Sequence, residues 1–272
     1  MVQWQCRVSP TLGELESTHQ KVWRTRNYID DSGPAVFFGL YGLPDFYALW
    51  RHKGEKHILW AGTDILHFTN GYWLDTVGSI KLSPKPLATW IQQNCTSWVE
   101  NEVEERALLH YGIKSTIVPS FLGDIDHYPL SYRPSLIPKV YASVSGNEFK
   151  KYGWNQITDL AIMNPSIEFH LYGNTIFWQP QSKNVIVHGR VSKQQMNSEV
   201  QHMQGALRLV KHDGFSEILA KSILWGQWPI STIPYPHMLK PYELATLSQR
   251  QEPNIEGREY YRKTLNQYPW II

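Results

Sequence analysis

The sequence predicts two doubly wound α/β domains, and three observations carry that expectation. Short apolar runs alternate with amphipathic stretches in both halves of the 272 residues, as in parallel sheets covered by helices. Glycine-bearing breaks at 62–64, 146, 173, 189 and 213–214 follow the ends of apolar runs, where such sheets bind ligands. Between the halves, "SYRPSLIPK" has two prolines and no periodicity, which marks a linker around 133–139. Glycine loops in both halves point to two domains facing a cleft.

In the amino half, Thr11 and Glu14 stand at capping-box spacing and predict a helix from about Leu12. "PAVFFGLYG" (34–42) reads as a buried strand, and "LPDFYALWRHKGEK" as the helix after it. "HILWAGTDIL" (57–66) is a second buried strand that breaks at Gly62-Thr63-Asp64. "TSWVENEVEERALLHYG" reads as a helix, with Ser97 and Glu100 as capping box, Val99, Val103 and Ala107 at helical spacing, and Gly112 as terminator. Its acidic run from Glu100 to Glu105 reads as a solvated face. "IKSTIVPS" is the next strand.

The carboxyl half alternates more cleanly. "KVYASVSG" is a strand, "YGWNQITDLAIMNP" carries a helix ending at Asn164-Pro165, and "SIEFHLYGN" and "NVIVHG" are strands. A helix follows Ser192, whose capping partner is Gln195. "GALRLV" and "WPIST" are strands, and helices are expected over 241–249 and 255–267. The domains are read as 1–135, 136–232 and a helical 233–272 that packs back toward the first.

Bulk properties exclude several classes. Hydrophobic residues make up 42% and charged residues 18%, which suits a compact core, and a net charge of +2 gives no broad phosphate-binding surface for nucleic acid. Cys6 and Cys95, far apart in sequence, define neither a disulfide framework nor a zinc knuckle and fit a reducing, cytoplasmic compartment. "MVQWQCRVSP" has no signal-peptide pattern, and no apolar run approaches the roughly 20 residues of a membrane span; peripheral membrane contact stays open. The 12 Trp and 15 Tyr serve either as core filling or as stacking faces for sugars.

The run "VYASVSG…YGWNQITDLAIMNPSIEFHLYGN", "NVIVHGRVSKQQM", "GALRLVKHDGFSEILAKSILWGQWPIST" resembles the GT-B glycosyltransferases, in particular those with an E-x7-E-type donor motif. The resemblance extends over 139–232, in the order strand, Tyr-Gly helix, Pro, strand to Gly, Asn-Val strand to His-Gly, then strand, acidic Gly turn and helix. In the amino half, "ILWAGTDIL" and "WVENEVEERALLHYGIKSTIVPS" resemble segments of the same enzymes. The opening Gly-rich strand-loop has no counterpart before Val36, so the first domain reads as short.

The resemblance implies two Rossmann-like domains and transfer of a sugar from a nucleotide-diphosphate donor to a glycan or other hydroxyl acceptor, with retention, no cofactor and no metal. No Asp-x-Asp metal motif is present, and helix N-termini with nearby cations can stabilise a leaving diphosphate. Asp213 matches the first acidic residue of the motif, with Gly214, Phe215 and Ser216 offering N–H groups to phosphate. An ordinary Asp-Gly turn with Ser216 as helix N-cap fits the same residues. Lys221 stands where the family has its second Glu, which grips ribose; Lys accepts no hydrogen bonds, and it either meets phosphate or pairs with Glu217 at i, i+4. The remaining donor-side candidates are Gly146, Lys150, Lys151, Gly173, Gly189, Arg190 and Arg208, while Asp64 and His67 are candidates for acceptor contact or base work. His127 and His188 are weaker alternatives.

A second reading is a degenerate GT-B domain that binds a nucleotide, glycan or protein without turnover, which Lys221 and the absence of an Arg in "SVSGNEFKKYG" favour. A third is a nucleotide-sugar epimerase on the same fold.

Overall fold

A computed structural model describes residues 3–15, 21–74, 80–144, 149–173 and 182–271. The chain forms two compact units. The first comprises the residues up to Asp124, the tetrapeptide His212–Phe215 and the segment from Thr264 onward. The second comprises Ile125–Lys211 and Ser216–Lys263.

In the first unit β1 (Gln5–Val8), β2 (Arg26–Asn27), β3 (Ala35–Phe38) and β4 (Lys56–Leu59) are followed by a hairpin of β5 (Tyr72–Trp73) and β6 (Lys81–Leu82). Then come β7 (Thr96–Val99) and β8 (Ser115–Ile117). Six strands make one sheet in the order β2-β1-β3-β4-β7-β8, every pairing parallel. β3 reads as a continuous apolar run because it is buried on both faces. Ala35 and Phe37 enter one core with Ile58, while Val36 and Phe38 enter another with Leu59, Trp23 and Trp270. β1 is a strand ahead of Val36 that its mixed sequence "QCRV" conceals.

The helices of this unit are α1 (Leu43–Arg51), α2 (Thr63–Thr69), α3 (Pro84–Asn94) and α4 (Glu102–Leu109). Two expectations are corrected. Thr11 and Glu14 fall in a 3-10 turn, Pro10–Leu15, so the helix expected from about Leu12 does not begin there; residues 21–23 of that stretch are helical. Ser97 lies in β7, so Ser97 and Glu100 form no capping box; Asn101 is the N-cap of α4 and accepts from the Val103 and Glu104 backbone N–H groups. The helical periodicity of "TSWVENEVEERALL" is thus carried by a strand and a helix in succession.

Buried carboxylates tie the loops of this unit together. Asp45, on the first turn of α1, accepts from Arg7 Nη1 at 2.7 Å, Ser9 Oγ at 2.8 Å and Tyr41 N at 3.1 Å. Asp64 is fully buried and accepts from Leu40 N (2.8 Å) and Ala61 N (2.9 Å), joining the loops that follow β3 and β4. Glu104 is also fully buried; its Oε2 accepts from Glu100 N at 2.8 Å, and its Oε1 has no partner among the described residues. The acidic run is therefore not a solvated face throughout: Glu102 is exposed, while Glu100 and Glu104 point inward.

The second unit contains β9 (Lys139–Ser143), β10 (Glu168–Tyr172), β11 (Val185–Gly189), β12 (Gly205–Arg208) and β13 (Ile230–Ser231), all parallel, in the order β11-β10-β9-β12-β13. Its helices are α5 (Trp154–Met163), α6 (Lys193–Val200), α7 (Glu217–Leu224) and α8 (Ile255–Thr264). Ser192 caps α6 by accepting from Gln195 N at 3.1 Å. Pro241–Gln249 is a 3-10 helix, a correction in type to the helix expected there. Strand order reverses between β9 and β12, which makes the carboxyl ends of these two strands the switch point of this sheet.

Two stability predictions follow from the buried carboxylates. Asp45→Ala leaves Arg7 and Ser9 without their acceptor and is expected to cost about 3 kcal/mol or more in denaturant unfolding. Burial pushes Asp64 and Glu100 up to about 7 and Glu104 well above the usual glutamate range. The folded chain therefore keeps protons that the unfolded chain releases near pH 4, so stability falls as pH rises from about 4 through 7. Glu104→Gln removes one such group; its melting temperature at pH 8 is expected to exceed that of the parent by about 3 °C, with a flatter pH profile in thermal unfolding.

Candidate functional site

The chain leaves the second unit after Lys211 and returns at Ser216, and the four residues between them belong to the first. This is the acidic turn singled out in the sequence. His212 Nε2 lies 2.6 Å from the Gly62 carbonyl, which accepts only, so the ring proton sits on Nε2. Asn101 Nδ2 donates to the Asp213 carbonyl at 2.9 Å. Phe215 N donates to Glu100 Oε2 at 2.8 Å. The other oxygen of Glu100 accepts from Ser120 N at 3.1 Å and from Ser120 Oγ.

Two glycines permit this seating. Gly62 has φ +84°, and a Cβ there would lie 2.6 Å from Gly214 N. A Cβ on Gly214 would lie 1.9 Å from Glu100 Oε2. The turn therefore presses backbone to backbone against the loop after β4, with Gly214 and Phe215 buried and Asp213 partly exposed. Of the N–H groups expected to face phosphate, the one on Phe215 meets a carboxylate of the protein itself. Ser216 occupies the N-cap position of α7, but its side chain makes no capping hydrogen bond. Its carbonyl accepts from Leu219 N and Ala220 N, both at 3.0 Å.

Glu100, Asn101 and His212 were not among the residues that sequence reasoning selected. The signal available was "WVEN": read as the end of a strand, it places Glu100 and Asn101 at a carboxyl terminus of the sheet. Asp64 lies in the same region, with both carboxylate oxygens committed to backbone amides and none of its surface exposed. Its geometry is that of a loop tie.

His67 is exposed on α2, edge-on to Tyr41 with ring centroids 5.6 Å apart. Both border a groove of about 430 Å³ whose rim includes Pro44, Trp73 and Lys81. The groove lies at the loops that follow β3 and β4.

In the second unit, Gly173 N donates to Gly189 O at 2.8 Å, so these two glycines meet at the ends of β10 and β11. Arg190 is exposed immediately after β11. Lys150 and Lys151 are exposed on the turn before α5. Arg208 lies over the Tyr152 ring, 4.8 Å from its centroid. His188 stacks on Tyr172 at 4.4 Å and lies 2.9 Å from His170 Nδ1, while His127 ends the 3-10 turn Ile125–His127. Gly146 falls outside the described residues.

Lys221 is buried on α7, and burial lowers its pKa from the usual lysine range. Its Nζ lies 3.6 Å from Glu217 Oε1, the i, i+4 pair anticipated from the spacing. Lys193 Nζ approaches the same oxygen at 3.2 Å. One carboxylate therefore sits between two ammonium groups, and the set carries a net positive charge. Among the described residues, no group of three or more His, Cys, Asp or Glu could hold a metal ion, and no helix is long and apolar enough to cross a membrane.

No protein-family profile matches the chain, and no curated protein sequence matches it significantly. Solved structures do resemble it. A variant of S. aureus TarM in complex with fondaparinux, α-GlcNAc-glycerol and UDP aligns with TM-score 0.53 and 11% identity over 93% of this chain and 53% of that one. The pneumococcal O-GlcNAc transferase GtfA in complex with UDP and GlcNAc gives 0.53 and 12% over 85% and 54%. Sucrose-phosphate synthase from Thermosynechococcus elongatus gives 0.56 and 10% over 94% and 73%. The chain spans about half the length of TarM and of GtfA. At these identities the likeness is one of architecture: two Rossmann-like units of parallel sheet and helix, the GT-B fold.

Proposed function

We propose that the chain is a glycosyltransferase domain that moves a sugar from a nucleotide-diphosphate donor to a hydroxyl acceptor, without a metal and with retention. The observation that carries this reading is the acidic turn His212–Phe215, which follows the switch-point strand β12 and leads directly into α7. TarM and GtfA, which share the fold, were each solved with UDP. In the proposed role, Asp213 accepts from hydroxyls of the donor sugar, the backbone of Gly214 and Ser216 faces the diphosphate, and Phe215 N reaches it only by leaving Glu100. Lys150, Lys151, Arg190 and Arg208 are the cations available to offset charge on the leaving group. Gly173 and Gly189 let main chain approach the nucleotide, and Gly146 is assigned the same role from its place in the sequence. Lys221 and Glu217 stand where ribose would lie, with Glu217 as the acceptor that Lys221 is not. His67 serves the acceptor hydroxyl, and Asp64 supports that role from within by fixing the loop at Leu40 and Ala61.

A second reading, a GT-B domain that binds without turnover, is favoured by one specific contact. Glu100 accepts from Phe215 N, so a diphosphate must compete with a resident carboxylate for that donor.

Thermal shift with UDP, GDP and ADP and with their glucose and N-acetylglucosamine conjugates tests the donor site. Stabilisation by at least one conjugate is expected, about 2.7 kcal/mol at a hundredfold excess over Kd; no response to any of them sinks both nucleotide readings. Slow release of nucleoside diphosphate from the stabilising conjugate then supports transfer, and binding without release supports the binding module.

Lys221→Glu provides the residue-level test. Restoring an acceptor at the ribose position is expected to tighten the stabilising nucleotide by about tenfold in calorimetry. An unchanged Kd would place the Lys221–Glu217 pair outside the nucleotide contact.

A further inference from the structure

We infer that the first unit carries a binding surface for an acidic oligosaccharide, formed by the groove beside His67 and an aromatic stripe on α1. It deepens the reading above by giving the acceptor a chemistry, and it depends on that reading only for the word acceptor. The groove opens where the loops after β3 and β4 emerge from the sheet, the end at which doubly wound sheets hold ligands.

The chemistry of its walls selects the ligand. Trp73, on the β5–β6 hairpin, is half exposed, and Lys81 on the opposite strand lies over its ring at 4.3 Å. Tyr41 and His67 form another wall, edge to face. Amphipathic rings of this kind offer their faces to the C–H groups of a sugar while their polar edges remain hydrogen-bonded. Among the described residues, those that line the groove include Lys81, His67 and Asn70 but no carboxylate. The nearest acidic side chain on α1, Asp45, is buried on the inner face and paired with Arg7. A groove with exposed rings and an exposed cation, and with no carboxylate among its described residues, favours an anionic sugar over a neutral one.

The surface continues beyond the groove. Pro44 forms part of the rim, and Pro44, Tyr47 and Arg51 recur at i, i+3 and i+7 on the exposed face of α1. Tyr47 and Trp50 are each about half exposed and stack at 6.0 Å, and Arg51 lies over the Tyr47 ring at 5.7 Å. This repeats the ring-and-cation pairing of Trp73 with Lys81. Two such pairs on one continuous face fit an extended ligand that presents alternating apolar faces and anionic groups. A carboxylate or sulfate on the sugar meets Lys81 or Arg51, and the ring surface that the cation leaves open takes the adjacent pyranose face.

Isothermal titration calorimetry on the full chain, without nucleotide, tests the surface. The probes are a heparin-derived hexasaccharide, hexagalacturonate, neutral cellohexaose and polyglutamate of matched charge. Both acidic hexasaccharides are expected to bind, with Kd raised at least tenfold by Trp73→Ala and by Lys81→Gln and severalfold by Tyr47→Ala. All three side chains are exposed, and circular dichroism confirms that each variant is folded. Equal binding of cellohexaose overturns the assignment of an acidic ligand. Equal binding of polyglutamate, unaffected by Trp73→Ala, reduces the surface to bare charge attraction. Binding of neither acidic sugar overturns the inference, and because no donor is present that failure leaves the thermal-shift result for the nucleotide site standing on its own.

Discussion

The geometry of the acidic turn depends on one buried carboxylate. Glu100 receives Phe215 N on one oxygen and the backbone and hydroxyl of Ser120 on the other. In that position it joins the end of β7, the segment after β8 and the turn His212–Phe215. A carboxylate buried this deeply persists only where donors surround it, and here two backbone amides and a hydroxyl do so. Glycine at 62 and 214 is required because the chains approach closer than any Cβ allows. Asp64 and Glu104 extend the same device to neighbouring loops, so a polar layer rather than an apolar one organises this end of the sheet.

That layer is acidic, and it constrains what the turn can do. Burial raises the proton affinity of Asp64, Glu100 and Glu104; Glu100 and Asp64 raise that of Glu104 further, and Asp213 adds to the effect at Glu100 and Glu104. An anionic ligand approaching Phe215 N meets a donor already in use and negative charge behind it. Protonation of Glu100 weakens its hold as an acceptor and removes that charge together.

The alternation of strands and helices was legible in the sequence because central parallel strands, buried on both faces, read as unbroken apolar runs such as "AVFF". Strands with mixed or very short sequences were not legible: β1 carries Gln5 and Arg7 among its four residues, and the β5–β6 hairpin pairs only two residues on each strand. "TSWVENEVEERALL" misled because a strand followed by a helix can imitate one helical period over fourteen residues. The same error hid Glu100 and Asn101, whose importance lies in standing at a strand's carboxyl end. The turn 212–215 was visible from Asp-Gly alone, but its partners lie more than 100 positions away, and no local pattern connects them. The Lys221–Glu217 pair was visible because helix geometry fixes i, i+4 neighbours, whereas the third member, Lys193, arrives from another helix.

Lys221 shows how a lysine can be tolerated at a buried position. Its ammonium is nearly out of solvent, a costly state unless an opposite charge is near. Glu217 supplies that charge, yet Lys193 draws on the same oxygen, so the carboxylate is shared and each lysine is incompletely neutralised. A structural ion pair would be better served by one lysine than by two. Two ammonium groups around one carboxylate leave a residual positive charge on α6 and α7, and such a charge is stabilised most by an anion from outside the protein.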